Sequence, residues 1–157
     1  MKMIWGLLKE TLIFTGMEAE SSNDVMKKLG GAVIHEGYAR DDYVDALIAR
    51  EEEYPTGLLM DGYGVAIPHT DASHVTKSAI AIAVLKNPVR FIQMATDDDP
   101  VDVQLVFMLV VDDPKKHMDE LQKILMILQD KEVLTKVYES ETADKIISII
   151  KEKEKSL

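Results

Sequence analysis

Two long apolar runs dominate the hydrophobic pattern of the chain. Ala79–Leu85 and Val103–Val111 are rich in Val, Ile, Leu and Phe and are nearly unbroken by polar residues. Runs of this kind are typical of central strands that are covered on both faces. Thr11–Phe14 and Val65–Ile67 are shorter extended segments. The pattern therefore predicts a buried sheet that includes these four segments.

Amphipathic helices are predicted before and after these strands, since apolar residues recur there at steps of three and four. Ser21 or Ser22, Asp113 and Ser140 are expected to cap the helices that follow them. Two further helices are expected to start near Asp41 or Asp42 and after Asp130. Asp113 is a good helix start because Pro114 follows it, and proline is favoured at the first helical position. Connecting turns are predicted at Tyr54–Gly57, Asn87-Pro88 and Asp97–Pro100, where Pro, Gly and Asp interrupt the pattern.

The last helices carry specific packing predictions. The helix after Asp113 is expected to pack through a stripe of Met118, Leu121, Leu125 and Leu128. The final helix is expected to bury Ala143, Ile146, Ile147 and Ile150, and Lys151–Lys155 to form a frayed, solvated tail. Helices placed around interleaved strands indicate an α/β sandwich with a mostly buried sheet. The length of 157 residues fits a single domain over residues 1–157.

Composition excludes several classes of function. The chain has no cysteine, which rules out disulfides, thiolate zinc sites and thiol nucleophiles. Its formal net charge of −10, with no clustering of the basic residues, disfavours binding to nucleic acid or anionic lipid. No apolar run approaches the roughly 20 residues of a membrane span, and Lys9 and Glu10 interrupt the apolar segment Met3–Leu8 before it could form a secretory core. We expect a soluble, cytoplasmic protein.

His69 is the first candidate for chemistry. It follows the extended segment Val65–Ile67 and Pro68, and the proline forces the residue before it out of helical geometry. The histidine therefore lies on a bent loop at a strand end, where reactive groups held by a rigid scaffold are often found. Position alone leaves two interpretations open: a functional imidazole, or a side chain that simply hydrogen-bonds the backbone of its own loop.

The other histidines differ in context. His117 falls in the first turn of its helix, on the same side as Ile124 and Leu128. It either completes a core stripe as a half-buried side chain or uses the positive end of the helix dipole, which disfavours imidazolium and attracts anions. His35 and His74 are interpreted as structural or solvent-facing.

The sequence contains no motif that is typical of a metal or cofactor site. His69 and His74 are five positions apart and have no Glu between them, so they do not match the i, i+4 helical pair of a zinc protease, and Asp71 is better explained as a capping residue. The chain contains no GxGxxG motif, Walker loop or GxSxG motif. We therefore expect no metal and no cofactor.

The segment Gly64-Val65-Ala66-Ile67-Pro68-His69 resembles the signature of enzyme IIA domains of the phosphoenolpyruvate-dependent sugar phosphotransferase system, fructose/mannitol class. The likeness extends over nearly the whole chain, through Ala46–Glu51, Tyr54–Gly57, Lys86–Phe91, Val103–Val111 and the helix that carries His117. Thr70 after the histidine and Asp61 before Gly62 depart from the common pattern and are similar to the galactitol-type branch.

The resemblance implies a fold and a function. The fold would be a mixed central sheet with helices on both faces, the mannitol-type enzyme IIA sandwich. The function would be that of a phosphocarrier, which takes a phosphoryl group from HPr on His69 through a phosphohistidine intermediate and passes it to a cysteine of a IIB component during sugar or sugar-alcohol uptake. The absence of cysteine excludes the IIB role itself, and the lack of membrane spans excludes the IIC role.

The resemblance also implies roles for neighbouring residues. An imidazole is nucleophilic only when neutral, as His69 is at cytosolic pH if its pKa is unperturbed. Arg50 would stabilise the phosphoryl oxygens with its forked donors, unless it is an exposed arginine paired with Glu51 or Glu53. Thr70 and the amides after Asp71 are further phosphoryl-binding candidates. His117 would help to bind the phosphoryl group or orient His69.

Two alternative functions remain open at this point. In a regulatory relative, the same phosphohistidine would control a partner protein by changing the charge of an interface. In a non-catalytic binding domain on the same scaffold, His69 would be merely structural.

Overall fold

The computed structural model describes residues 3–157 and contains one mixed five-stranded sheet in the order β1-β4-β5-β3-β2. Its strands are β1 (Leu8–Met17), β2 (Gly57–Met60), β3 (Tyr63–Ala66), β4 (Ala79–Ile92) and β5 (Pro100–Val110). The pairs β1–β4 and β3–β5 are parallel, whereas β2–β3 and β4–β5 are antiparallel. All four predicted strands are present, and β2 is an additional one.

The helices lie in two groups along the chain. The first group contains α1 (Ser22–Val25) and α2 (Gly31–His35), which a π-helical turn at Met26–Gly30 joins, followed by α3 (Tyr43–Glu53). The second group contains α4 (Pro114–Leu128), α5 (Lys131–Glu139) and α6 (Ala143–Lys155). Short 3₁₀ turns occur at Trp5–Leu7 and Ala72–His74. Within residues 3–157, no helix is long and apolar enough to cross a membrane.

The two groups of helices cover opposite faces of the sheet. On β4, Ala79, Ala81 and Ala83 pack into the core with α1–α3, while the alternate residues Ile80 and Ile82 pack into the core with α4–α6. This alternation follows from the two-residue period of a strand, and both faces are apolar because both are buried. The predicted α/β sandwich with a buried mixed sheet is confirmed.

One predicted turn is wrong. Asn87 and Pro88 lie inside β4, at a shift in the β4–β5 register between Val84 and Val89. Proline lacks the N–H that a regular ladder needs, but a bulge leaves one residue unpaired and tolerates it. Asn87 and Pro88 are both exposed there, and the strand resumes with the buried Val89.

The hairpin of β2 and β3 is the element that the sequence analysis missed. Asp61 and Gly62 form its two-residue turn, with φ of +50° and +90°. Positive φ at both positions is typical of a type I′ turn, for which Asp-Gly is a favoured sequence. Two residues later the backbone of β3 runs so close to β5 that a Cβ on Gly64 would collide with the carbonyl oxygen of Asp102.

Two of the three predicted helix caps are confirmed, at Ser21 and Asp113, and Asp130 is a further cap. Ser21, Asp113 and Asp130 each accept a hydrogen bond from a backbone N–H in the first turn of the helix that follows. Asp42 precedes α3 without a side-chain cap, and Thr142, rather than Ser140, caps α6.

The predicted stripe on α4 is wrong at Met118, whose side chain is 60% exposed. Leu121 and Leu125 are half-buried, and the fully buried side chains are those of Ile124, Ile127 and Leu128. The residues that α4 buries completely therefore all lie in its C-terminal half. In α6, Ile146 and Ile150 are buried as predicted, whereas Ala143 and Ile147 are half-buried.

The expected frayed tail is also wrong, because α6 continues to Lys155 and buries Glu154. The Glu154 carboxylate accepts hydrogen bonds from the N–H groups of Ile4, at 2.6 Å, and Trp5, at 2.8 Å. Lys123 Nζ lies 3.6 Å from the same carboxylate. A buried carboxylate is stable only with such partners, and these three join the N-terminal turn to α4 and α6.

We expect Glu154→Ala to lower the free energy of unfolding by about 3 kcal/mol, because it leaves Lys123 and two buried N–H groups without an acceptor. Glu152 is exposed on the same helix, and Glu152→Ala should change the stability by less than about 0.5 kcal/mol. Urea unfolding of both variants measures the difference. Equal losses would contradict the role given to Glu154.

Candidate functional site

The parallel pairing of β3 with β5 brings the polar residues together. Carboxyl ends of parallel strands lie at the same edge of a sheet, so the loop after β3 and the start of α4 after β5 are neighbours. The pairing continues to the residue before His69, since Leu109 N–H donates to the Pro68 carbonyl at 3.0 Å. His69 therefore projects from a rigid support at the rim of the sheet.

The His69 ring is fixed by its own loop. Its Nδ1 lies 2.9 Å from the carbonyl oxygen of Ile67. A carbonyl only accepts, so Nδ1 carries the proton in the neutral ring and Nε2 keeps its lone pair. The bond to the loop backbone that sequence reasoning offered as an alternative is thus present, and it also fixes the tautomer that leaves Nε2 available.

The His117 ring lies against the His69 ring. The centroids are 4.4 Å apart and the planes are inclined by 64°, an edge-to-face arrangement. His117 is half-buried in the first turn of α4, and its buried Nε2 has no hydrogen-bond partner among residues 3–157. Both histidines therefore belong to one cluster, although they are far apart in sequence.

A pocket of about 400 Å³ opens beside the two rings. Arg50, His69, Thr70, Asp71 and His117, the five residues singled out from the sequence, all line it. The rest of the lining comes from the 3₁₀ turn and the start of α4, through Ala72, Ser73, Val111, Asp113 and Pro114. Along the described part of the chain, no cluster of three or more His, Asp and Glu side chains is arranged to hold a metal ion.

Arg50 approaches the pocket from the last turn of α3. Its guanidinium carbon lies 4.3 Å from the centre of the Tyr54 ring, a cation–π contact that holds the planar group. Within residues 3–157, its buried Nε has no hydrogen-bond partner and no ion pair joins it to Glu51 or Glu53. The alternative of an arginine paired with those glutamates is therefore not what the structure shows.

The loop after His69 is held by backbone contacts. Asp71 precedes the 3₁₀ turn as predicted, but its carbonyl rather than its side chain accepts the closing hydrogen bond, from His74 N–H at 3.2 Å. His74 turns toward the Asp42 carboxylate, with Nδ1 3.0 Å from Oδ2, and His35 is exposed. These two histidines lie outside the lining of the pocket.

The surroundings lower the pKa of both clustered histidines below the usual 6.5. Burial is the largest cause for each ring, because it disfavours the charged form. The positive charge of Arg50 acts in the same direction on both, and His117 adds to the effect on His69. The Asp71 carboxylate and, for His69, the bond to Ile67 oppose it. Both rings are therefore neutral at pH 7, the state in which an imidazole is a nucleophile.

Comparison with known proteins places this site in a family. The sequence model of the family "Phosphoenolpyruvate-dependent sugar phosphotransferase system, EIIA 2" matches residues 6–153. The chain belongs to this family. It is thus an enzyme IIA domain, a phosphotransferase component with a phosphocarrier role in a sugar phosphotransferase system.

Individual relatives agree with this assignment. The galactitol-specific EIIA component of Escherichia coli is 34% identical over 120 residues, which cover 76% of this chain and 79% of that protein. The transcriptional regulator ManR of Bacillus subtilis is 37% identical over 109 residues, which cover 69% of this chain but 15% of the regulator. Among solved structures, enzyme IIAMTL in its complex with phosphorylated enzyme IIBMTL from Escherichia coli has a TM-score of 0.76 at 22% identity, covering 92% of this chain and 97% of that one. The mannitol-type fold that the resemblance implied is confirmed.

Sequence reasoning missed two residues that support the site of this enzyme IIA domain. Glu51 accepts hydrogen bonds from Thr56, and the Thr56 hydroxyl in turn accepts one from Ile67 N–H. Sequence reasoning considered Glu51 only as a partner of Arg50. A buried polar residue such as Thr56, which is 2% exposed, has no sequence signal beyond its place in a turn.

We expect the pKa of His69 in this enzyme IIA domain to lie below 6.5, and Arg50→Ala to raise it, because the substitution removes a neighbouring positive charge. Proton NMR titration of the ring measures both values. Arg90 is exposed on β4, and Arg90→Ala should leave the pKa unchanged. A wild-type pKa at or above 6.5 would contradict the electrostatic description.

Proposed function

We propose that this enzyme IIA domain accepts a phosphoryl group from phospho-HPr on Nε2 of His69 and passes it to a cysteine of a cognate IIB component, in the cytoplasm, during uptake of a sugar or sugar alcohol. The observation that carries the proposal is the His69 ring itself. Its Nδ1 is bonded to the Ile67 carbonyl, its pKa is lowered, and it lines an open pocket beside a second histidine and an arginine.

The transfer step follows from this geometry. The Nε2 lone pair attacks the phosphorus, a P–N bond forms, and the bond from phosphorus to the donor breaks, with its electron pair leaving on the donor. Positive charge develops on the His69 ring as Nε2 is phosphorylated, and the Ile67 carbonyl stabilises the Nδ1 proton meanwhile. In onward transfer, a cysteine thiolate attacks the phosphorus, a P–S bond forms, and the P–N bond breaks with its electron pair returning to Nε2.

Positioning and charge stabilisation supply most of the catalysis in phosphoryl transfer. Arg50 Nε and His117 Nε2 are buried at the pocket without partners among the described residues. An unpaired buried polar group is costly, and a phosphoryl oxygen would provide the acceptor that Arg50 lacks. Thr70 offers a hydroxyl at the same pocket, and the residues after Asp71 offer backbone N–H groups. Asp71 and Asp113 line the pocket too, and in this proposal their negative charge weakens the hold on a dianion that must leave again.

The relatives support the partners and leave one second function to consider. A structural neighbour is a IIA protein in complex with phosphorylated enzyme IIB, and the galactitol-specific relative favours a sugar alcohol as the transported substrate. The likeness to part of a transcriptional regulator favours the alternative that phosphorylation of His69 controls a partner protein. Transfer to a IIB component distinguishes the two functions, because a regulatory domain need not perform it.

Incubation with phosphoenolpyruvate, enzyme I and HPr is expected to place an acid-labile phosphoryl group on the wild type and none on His69→Ala. His35 is exposed and distant from the pocket, so His35→Ala serves as the matched control and should be labelled normally. Labelling of His69→Ala would refute the assignment of the acceptor. Addition of a IIB component should then discharge the wild-type label, and a label that persists with every IIB tested would favour regulation.

Arg50→Ala is expected to slow single-turnover transfer from phospho-HPr by on the order of 10²-fold, because it removes a preorganised charged donor. His117→Ala should cause a smaller but measurable loss. Rapid-quench measurements give both rates, and thermal melts check that the variants are folded. An unchanged rate in Arg50→Ala would contradict its role, and a His117→Ala variant that changes only its melting temperature would show that His117 serves the core.

A further inference from the structure

A chain of hydrogen bonds leads from the end of α3 to the His69 ring. Glu51 Oε2 accepts from Thr56 N–H at 2.7 Å, and Glu51 Oε1 accepts from the Thr56 hydroxyl at 2.8 Å. The Thr56 hydroxyl oxygen accepts from Ile67 N–H at 3.2 Å and shares this donor with the Thr56 carbonyl at 3.3 Å. The Ile67 carbonyl accepts from His69 Nδ1 at 2.9 Å. The first two links join the end of α3 to the turn before β2 and that turn to the loop after β3, and the last link lies within the loop that carries His69.

We propose that Glu51 and Thr56 act together as positioning residues for phosphoryl transfer, by fixing the His69 ring relative to Arg50. Glu51 follows Arg50 directly on the last turn of α3, and Ile67 lies two residues before His69. The bonds through Thr56 therefore join the segment that carries the cation to the segment that carries the nucleophile. The proposal rests on the proposed function of His69.

The strength of these bonds follows from burial and charge. Thr56 is 2% exposed, and Glu51 is partly buried beside it. Hydrogen bonds to a carboxylate are roughly twice as strong as those between neutral groups, and a low dielectric strengthens them further. Burial raises the pKa of Glu51 to about 7, while its two bonds from Thr56 oppose the rise, so the charge-assisted strength of these bonds belongs to the ionised form that predominates above neutral pH. Because burial removes the carboxyl of Glu51 from water, both hydrogen bonds are needed to compensate for the lost solvation. The two bonds therefore constrain the backbone and the hydroxyl of Thr56 together.

A purely structural role is the competing explanation. Glu51 would then only cap the turn between α3 and β2, and its loss would lower stability without affecting the His69 ring. The two explanations differ in one property: only the positioning role requires that the tautomer and the reactivity of His69 change when the Thr56 hydroxyl is removed and recover when it is restored.

Three variants and one control separate them. Thr56→Val removes the hydroxyl at nearly constant shape, Thr56→Ser keeps it, and Glu51→Gln replaces a carboxylate oxygen by an amide. Glu53→Gln makes the same change at an exposed position of the same helix end. Single-turnover transfer from phospho-HPr is measured over a range of donor concentrations, well below each melting temperature, and nitrogen-15 NMR reports the protonation of the two His69 ring nitrogens without phosphate.

We expect Thr56→Val and Glu51→Gln to lower the saturating transfer rate about 10-fold, as is usual when support of a reactive group is lost, with the half-saturating phospho-HPr concentration unchanged. Thr56→Ser and Glu53→Gln should stay within about twofold of the wild type. In Thr56→Val, the His69 nitrogen signals should move from the Nδ1–H pattern toward a mixture of tautomers.

Several results would overturn the proposal. These are wild-type rates in both Thr56→Val and Glu51→Gln, a loss in Thr56→Ser as large as in Thr56→Val, or slower transfer with unchanged His69 nitrogen signals. If the wild type takes up no phosphoryl group, the proposed function itself fails. The NMR comparison then decides the positioning role alone, because identical ring signals in wild type and Thr56→Val reject it and shifted signals support it.

Discussion

The parallel contact between β3 and β5 determines where the reactive groups of this protein lie. It is short, with Val65 opposite Leu105 and Ala66 opposite Val106, and it requires a glycine at position 64, where the two backbones nearly touch. Because both strands end at the same edge, the loop that bears His69 meets the helix that bears His117. The ring contact, the pocket and the lowered pKa values all follow from that meeting.

The chemistry requires a histidine that is neutral yet surrounded by groups suited to a dianion. Burial and the neighbouring cation disfavour imidazolium on His69, and in the proposed transfer the same cation attracts the phosphoryl group. Stacking of Arg50 on Tyr54 holds the guanidinium without a salt bridge that would neutralise it. Under the proposed function, one arrangement thus prepares the nucleophile and its substrate site together, and the acidic residues of the pocket moderate the attraction for a phosphoryl group that must leave again.

Local sequence patterns predicted those features of the fold that depend on interactions between residues close together in the chain. The buried strands, the caps at Ser21 and Asp113 and the strand-end position of His69 follow from apolar runs, cap preferences and proline geometry. Other features depend on contacts between distant segments, which no local pattern contains: the bulge that admits Pro88 and the burial of Glu154 against the N-terminal turn. The Asp61-Gly62 hairpin does have a local signal, because Asp-Gly is a favoured pair for a two-residue turn. The role of Thr56 is of the non-local kind, since its partners come from two separate elements.

The account as a whole depends on one division of labour within the His69 ring, in which Nδ1 holds the loop and Nε2 exchanges the phosphoryl group. Nitrogen-15 and phosphorus-31 NMR of the phosphorylated protein, labelled in its histidine rings, tests this most directly. The account predicts a nitrogen–phosphorus coupling at Nε2 of His69 and at no other histidine nitrogen. A coupling at Nδ1 of His69, or at any nitrogen of His117, would contradict it.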